Sequence, residues 1–420
     1  MKKESIAKKI LVLCLALGFA LSMAACGGSE EAKTMLALNQ EYGALEVYES
    51  TGDISIDFTL SEPLRDVMGE EVGQVLDLFK NWTYSGRTDA LKFVSDVSVK
   101  SGDGELFHII MDTPGGGYYM DMTGFLDAII AIDPEAGGYL EDDLQGNQWV
   151  RFGFGEAVSP EVYTKQMTAL RSLAADYCAG LENEVFADYD SGLVTKISGG
   201  FQFKLTYEQM GSYLQSLGSY ALEHLDAFSV YTKTFIQGLT AEDKEVLGLT
   251  DSDLDELIAW LDELATPENK SLYENYLAGA VTAIQMPEAA KILAGTYIDL
   301  QLVKKGDAFV WQYDILINAN FEGSSFGSIL GMELGSNSVR LTASESTQTI
   351  AAFEPELPTA SVIDAEDTEI FAGAVMDLPS LLYGGLNPYD PYGDFDDYDW
   401  AEDYDWEDED WADDYNLEDE

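Results

Sequence analysis

The chain has 420 residues and a formal net charge of −55, from 22 Lys and Arg against 77 Asp and Glu. That field repels nucleic-acid phosphate and anionic lipid headgroups, which excludes nucleic-acid binding and charge-driven adhesion to membranes. Three cysteines make no disulfide framework, and with Cys14 in the opening apolar run and Cys26 at its end, the two histidines and Cys178 fall short of the usual four-ligand zinc site.

Lys2, Lys3, Lys8 and Lys9 open the chain, an apolar run from Ile10 to Leu21 follows, and Ser22-Met23-Ala24-Ala25-Cys26-Gly27 closes the segment. This is a basic region, an apolar region and a small-residue cleavage site. The apolar run is too short for a span, which needs roughly 20 residues. Met23-Ala24-Ala25-Cys26 resembles the lipobox of bacterial lipoproteins, with Met23 where that family usually has Leu. The resemblance implies that residues 1–25 are removed, that Cys26 carries a diacylglyceryl group, and that the chain is extracytoplasmic and lipid-anchored to the cell membrane. The alternative is an ordinary signal peptide with a chance cysteine. Each buried CH2 contributes about 0.8 kcal/mol, so two acyl chains hold where one does not. Only Cys26 and Cys178 would then remain, so the body has to be stabilised by burial rather than by a disulfide.

By composition the mature chain divides into a polar tether (26–42), a body (43–385) and a tail (386–420). The body is β-rich over 43–156, helical over 157–292 and β-rich again over 293–362. Ile54, Ile56, Phe58 and Leu60 alternate with Ser55, Asp57 and Thr59, which predicts a strand with one buried face. Ser61 and Pro63 suit the start of a helix whose apolar face runs from Leu64 to Phe79. Strands are expected over 90–99 and 106–112 around the turn Ser101–Gly104, then over 117–122 and 148–152. A helix is expected from Ser159-Pro160 to Cys178 with Gly180 as its C-cap. A β pair should span 192–205, and Thr206…Gln209 is a capping box opening a helix to Phe228. Helices over 252–264 and 270–284 follow, then strands over 297–303, 308–319 and 338–351.

Short turns between neighbouring strands imply an antiparallel sheet, so the expected class is α+β: a curved antiparallel sheet packed with helices, plus a disordered acidic C-terminal tail. The strand after the tether, the GGGYYMDMTGFLDAI segment and the terminal meander resemble, as a pattern, half-barrel lipoproteins of the Lol-carrier type. That resemblance implies a sheet curved around helices with acyl chains held in the gap.

From Asn387 to Glu420 the tail holds 17 acidic and nine aromatic residues and no Lys or Arg. Tyr398, Trp400, Tyr404, Trp406, Trp411 and Tyr415 interleave with acids. They suit docking on a basic protein or cell-wall glycan, or a solvated spacer.

Enzymatic readings find little support. Gly323-Ser324-Ser325-Phe326-Gly327 matches the nucleophile-elbow pattern, but His108 and His224 both precede Ser325, against the usual order. Asp251, Asp253 and Asp255 open like a calcium loop, but Glu256 stands where glycine is needed, and a capped helix start explains them. Cys178 reads as a small packed residue. The expectation is a membrane-anchored extracytoplasmic binding or scaffold protein without a cofactor, its partners being the membrane through Cys26, divalent cations, basic proteins or glycan. The alternatives are a half-barrel carrier of hydrophobic ligands and a carboxylate-based glycan hydrolase.

Overall fold

A computed structural model describes residues 29–68, 70–153, 160–322 and 334–368. The strands are β1 (Val47–Thr59), β2 (Trp82–Asp89), β3 (Val94–Ser101), β4 (Gly104–Asp112), β5 (Gly117–Asp121), β6 (Trp149–Gly153), β7 (Val194–Ile197), β8 (Gly200–Thr206), β9 (Tyr297–Lys305), β10 (Ala308–Asn320), β11 (Ser336–Thr349) and β12 (Val362–Asp364). They form one open sheet in the order β12-β6-β5-β4-β3-β2-β1-β11-β10-β9-β8-β7. Every pair is antiparallel except β12 with β6. The class is the α+β one expected from the sequence, and strand twist accumulated over so many strands does not permit a flat sheet.

The helices are α1 (Glu30–Gly43), α2 (Glu62–Met68), α3 (Glu70–Asp77), α4 (Thr123–Ile132), α5 (Pro134–Leu144), α6 (Pro160–Gly180), α7 (Tyr207–Glu223), α8 (Leu225–Gly238), α9 (Ala241–Val246), α10 (Asp251–Leu264), α11 (Pro267–Gln285) and α12 (Pro287–Ile292). Among the described residues no helix is long and apolar enough to cross a membrane.

Residues paired across a ladder share a face, so the registers divide the sheet into two unlike sides. One side carries Ile54, Ile56 and Phe58 of β1, Leu341 and Val339 of β11, and Trp311, Tyr313 and Ile315 of β10. It continues through Leu300 and Leu302 to Phe201 and Phe203 in one direction. In the other it runs through Trp82, Val99, Ile109 and Met120 to Val150. The opposite side carries Asp57, Arg340 and Asp314, with a bidentate Arg340–Asp314 pair at 3.0 and 2.9 Å. Over that polar side the segment 350–361 crosses from β11 to β12, with Phe353 buried and the Arg87 guanidinium 5.4 Å from its ring.

Several elements depart from the sequence expectation. The tether segment forms α1, capped by Ser29, which accepts from Ala32 N at 3.2 Å. Ala32 and Met35 are buried against Leu193, Phe201 and Phe203. The strand expected over 90–99 starts only at Val94, because Asp89 Oδ1 accepts from Leu91 N and Lys92 N, both at 3.1 Å, and Phe93 turns at φ 54°. Gly180 is no C-cap: it stays helical at φ −72° and leads into a π-helical turn over 181–185. A Cβ there would lie 2.0 Å from the Tyr231 hydroxyl, which donates to Tyr177 O at 3.0 Å. The helix expected over 206–228 is two helices that break at His224. The Thr206–Gln209 capping box does form, and Thr250 with Asp253 caps the helix start at Asp251.

Candidate functional site

Helices pack on the sheet mainly at its two flanks, and of the central strands β10 also meets one. α1 lies on β7, β8 and β9, α7 on β8 and α12 on β10, while α4 lies on β4. Beneath α1, Phe201, Phe203, Leu205 and Leu302 are buried. Beside α4 and α5, Val150, Phe152, Leu144 and Ile363 form a second closed cluster. The central strands differ. Ile54, Ile56, Phe58, Trp82, Tyr313, Ile315, Val339 and Leu341 are only half-buried, and Ile317 is 52% exposed. Apolar side chains that a fold leaves short of burial in one contiguous strip mark a surface for something else to cover.

One row of this strip is polar. Tyr84 of β2 pairs with Gly52 of β1, Gly52 with Glu345 of β11, and Glu345 with Trp311 of β10. Gly52 makes the row possible. A Cβ at that position would come within 2.6 Å of the Tyr84 ring, so only glycine lets the tyrosine lie across β1, where the Glu345 charge acts on its hydroxyl. Glu345 Oε1 also accepts from Tyr42 Oη of α1 at 3.1 Å, Ser50 Oγ at 3.1 Å and Thr347 Oγ1 at 2.6 Å. Thr347 is fully buried. Burial first, and then the negative charge of Glu345, raise the hydroxyls of Tyr42, Tyr84 and Tyr313 above the usual tyrosine range. They therefore stay protonated as donors at neutral pH. The rings beside the carboxylate pack on one another: Tyr42 meets Trp311 edge-on at 6.0 Å and Trp311 stacks on Tyr313 at 5.5 Å. The buried indole N–H of Trp311 has no hydrogen-bond acceptor among the described residues.

A separate cleft of about 770 Å³ lies between α1, the β2–β3 turn and α6, lined by Leu36, Leu91, Phe93, Arg171, Cys178 and Glu182. Arg171 ties its walls together by donating to Gly43 O at 2.9 Å and Ala90 O at 3.4 Å. Burial raises the Glu182 carboxyl to about 7, opposed by the Gln40 amide that donates to it at 3.0 Å. Burial, followed by the Glu182 charge, pushes the Cys178 thiol up. A reactive cysteine needs the opposite shift, since the thiolate is the nucleophile. A neighbouring hollow of about 740 Å³ continues along α6 past Thr168 and Ser172.

The residues singled out from the sequence fall elsewhere. Cys26, Ser325, Tyr398, Trp400, Tyr404, Trp406, Trp411 and Tyr415 lie outside the described residues. His108 is on the polar face of the sheet, 2.8 Å from Asp96 Oδ1 and beside Trp149. His224 stacks on Tyr220 at 3.9 Å where α7 ends. These histidines belong to different elements on different parts of the fold and form no common site. The Glu345 row was not legible in advance, because its members come from five elements and meet only through strand pairing and the packing of α1.

No family model matches the chain, and neither a curated protein nor a solved structure matches it.

Proposed function

We propose that the chain is a membrane-anchored, extracytoplasmic binding protein that takes a hydrophobic or amphipathic ligand on the central strip of its sheet. The observation that carries this is the contrast within one apolar face: closed under helices at both flanks, half-buried over β1, β10 and β11. The anchor is the lipid proposed on Cys26, from its place at the end of a lipobox-like Met23-Ala24-Ala25-Cys26. The reading needs no catalysis. The strip offers hydrocarbon and ring surface, and its one carboxylate is held by three hydroxyl donors rather than poised against a base. A lipid carrier of half-barrel type is one form of this reading, and an open sheet with an apolar face supports it.

Native mass spectrometry of the chain purified without detergent tests the proposal. The expected result is a protein peak accompanied by one heavier by the mass of a bound amphiphile, with the adduct removed by Ile315→Asp. A single unliganded species, unchanged after incubation with lipid extract, overturns it. Mass analysis of the mature N-terminal peptide tests the anchor: the proposal expects a peptide starting at Cys26 and heavier than its amino acids by a diacylglyceryl group. A peptide of unmodified mass refutes the anchor.

A further inference from the structure

The row at Glu345 specifies more than an apolar ligand. Across the paired strands, Glu345 is the one carboxylate on the apolar side among the described residues. Its hydrogen bonds come from Tyr42, Ser50 and Thr347, with Tyr84 close enough to feel its charge. All three are neutral donors, so they solvate the charge without cancelling it. No Lys or Arg among the described residues forms an ion pair with it; Lys304, on the same side of the sheet, is bonded to Glu41 and sits 5.1 Å over the Phe309 ring. A net negative charge is thus held in a half-desolvated bed of aromatic rings. That arrangement costs free energy until a cation arrives.

The surroundings choose the kind of cation. A hard divalent ion takes six to eight oxygen ligands, several of them usually carboxylates, and this row has a single carboxylate among hydroxyls. An ammonium group suits it better. It needs one counter-charge and gains from ring faces within about 6 Å, which Tyr42, Tyr84, Tyr313 and Trp311 can provide. Below the row the strip is hydrocarbon: Ala343, Leu341 and Val339 on β11, flanked in register by Ile54, Ile56 and Phe58 and by Tyr313, Ile315 and Ile317. Glu345 to Val339 is six residues, about 20 Å of strand.

We infer that the ligand is an amphiphilic amine, its ammonium group seated against Glu345 among Tyr42, Tyr84 and Tyr313 and its hydrocarbon chain lying along the strip toward Ile317. This inference rests on the proposed binding function of the same face. It adds the charge of the head group and the direction of the tail. An anionic amphiphile is disfavoured twice, by Glu345 locally and by the net charge of the whole chain.

The test is calorimetric titration of the full chain with three single-chain probes of equal length, each below its micelle concentration: an alkyltrimethylammonium, an alkyl sulfate and an uncharged alkyl glycoside. The expected order is ammonium, then glycoside, then sulfate. Glu345→Gln should weaken the ammonium by about tenfold, the effect of losing one partly desolvated counter-charge while the rings remain, and leave the glycoside unchanged. Glu345→Asp should restore most of the preference. Asp57→Asn, exposed on the polar face, controls for total charge and should have no effect. If the glycoside binds but Glu345→Gln leaves the ammonium preference intact, the inference falls and the apolar reading stands. If none of the probes binds, both fall.

Discussion

The flank of the sheet under α1 and its centre over β1, β10 and β11 are built from the same residue types in the same alternation, and they end in different states. Leu302, beneath α1, is fully buried, whereas Ile317, one strand away on the same face, is 52% exposed. Strand propensity and pattern cannot account for this, since both positions are aliphatic on paired strands. The difference lies in what is laid on top. The helix at Glu30–Gly43 closes the flank with Ala32 and Met35, and apart from α12 on β10 the helices that pack on the sheet do so toward its flanks. An apolar face thus supports stability where it is covered and becomes available to a ligand where it is not.

That contrast can be broken most severely in the flank. Leu302→Ala should cost about 2–5 kcal/mol, because it leaves a cavity in a closed cluster, and urea unfolding would register it as a lower midpoint at unchanged slope. Ile317→Ala, by the same measurement, should stay within about 0.5 kcal/mol, as a surface position does, while weakening probe binding. Equal losses at the two sites would erase the distinction between flank and centre.

Thr347→Val probes the polar row. It removes one of the donors to Glu345 at a fully buried position, so a loss of about 1–3 kcal/mol is expected from the under-solvated carboxylate. Gly180→Ala tests close approach within the helical layer: its Cβ would meet the Tyr231 ring, and overpacking of that kind costs about 1–3 kcal/mol. No change in either melting curve would mean that the packing is looser than described.

The smallest expected effect is electrostatic. Glu182 has its folded-state carboxyl raised to about 7 from a usual value near 4.5. A raised carboxyl binds its proton more tightly in the folded state, so stability declines as pH rises from about 4.5 to about 7 and is level above that. Glu182→Gln keeps the partner of Gln40 and removes the titration. It should be more stable than the parent above pH 7 by on the order of 1 kcal/mol, discounted for partial exposure, with the two proteins converging near pH 4. A constant offset at all pH values would assign the effect to packing instead.

Much of the architecture was legible because alternation and capping are local. Ile54, Ile56 and Phe58 announced β1, and the capping box at Thr206–Gln209 announced α7. β2 was missed because its sequence, WTYSGRTD, places glycine at an inward position; Gly86 is needed there, since a Cβ would approach Val97 Cγ2 at 2.9 Å. α1 was read as part of a polar tether because Glu30, Glu31, Lys33, Asn39, Gln40 and Glu41 flank its apolar residues, yet Ala32 and Met35 seat it on the sheet. Gly180 illustrates a third kind of miss: glycine next to a helix end suggested a stop, but it serves the approach of Tyr231. The candidate site was the least legible of all. Tyr42, Gly52, Tyr84, Trp311 and Glu345 share no motif and become neighbours only once the register and the seat of α1 are known.

The central claim is that the middle of the apolar face receives a ligand. Titration with a neutral solvatochromic dye addresses it without assuming a head group. The account predicts saturable binding with blue-shifted emission, abolished when Ile315 and Leu341 are both changed to Asp and preserved when Asp57 on the opposite face is changed to Asn. Binding that survives the double substitution, or no binding to the parent chain, would contradict it.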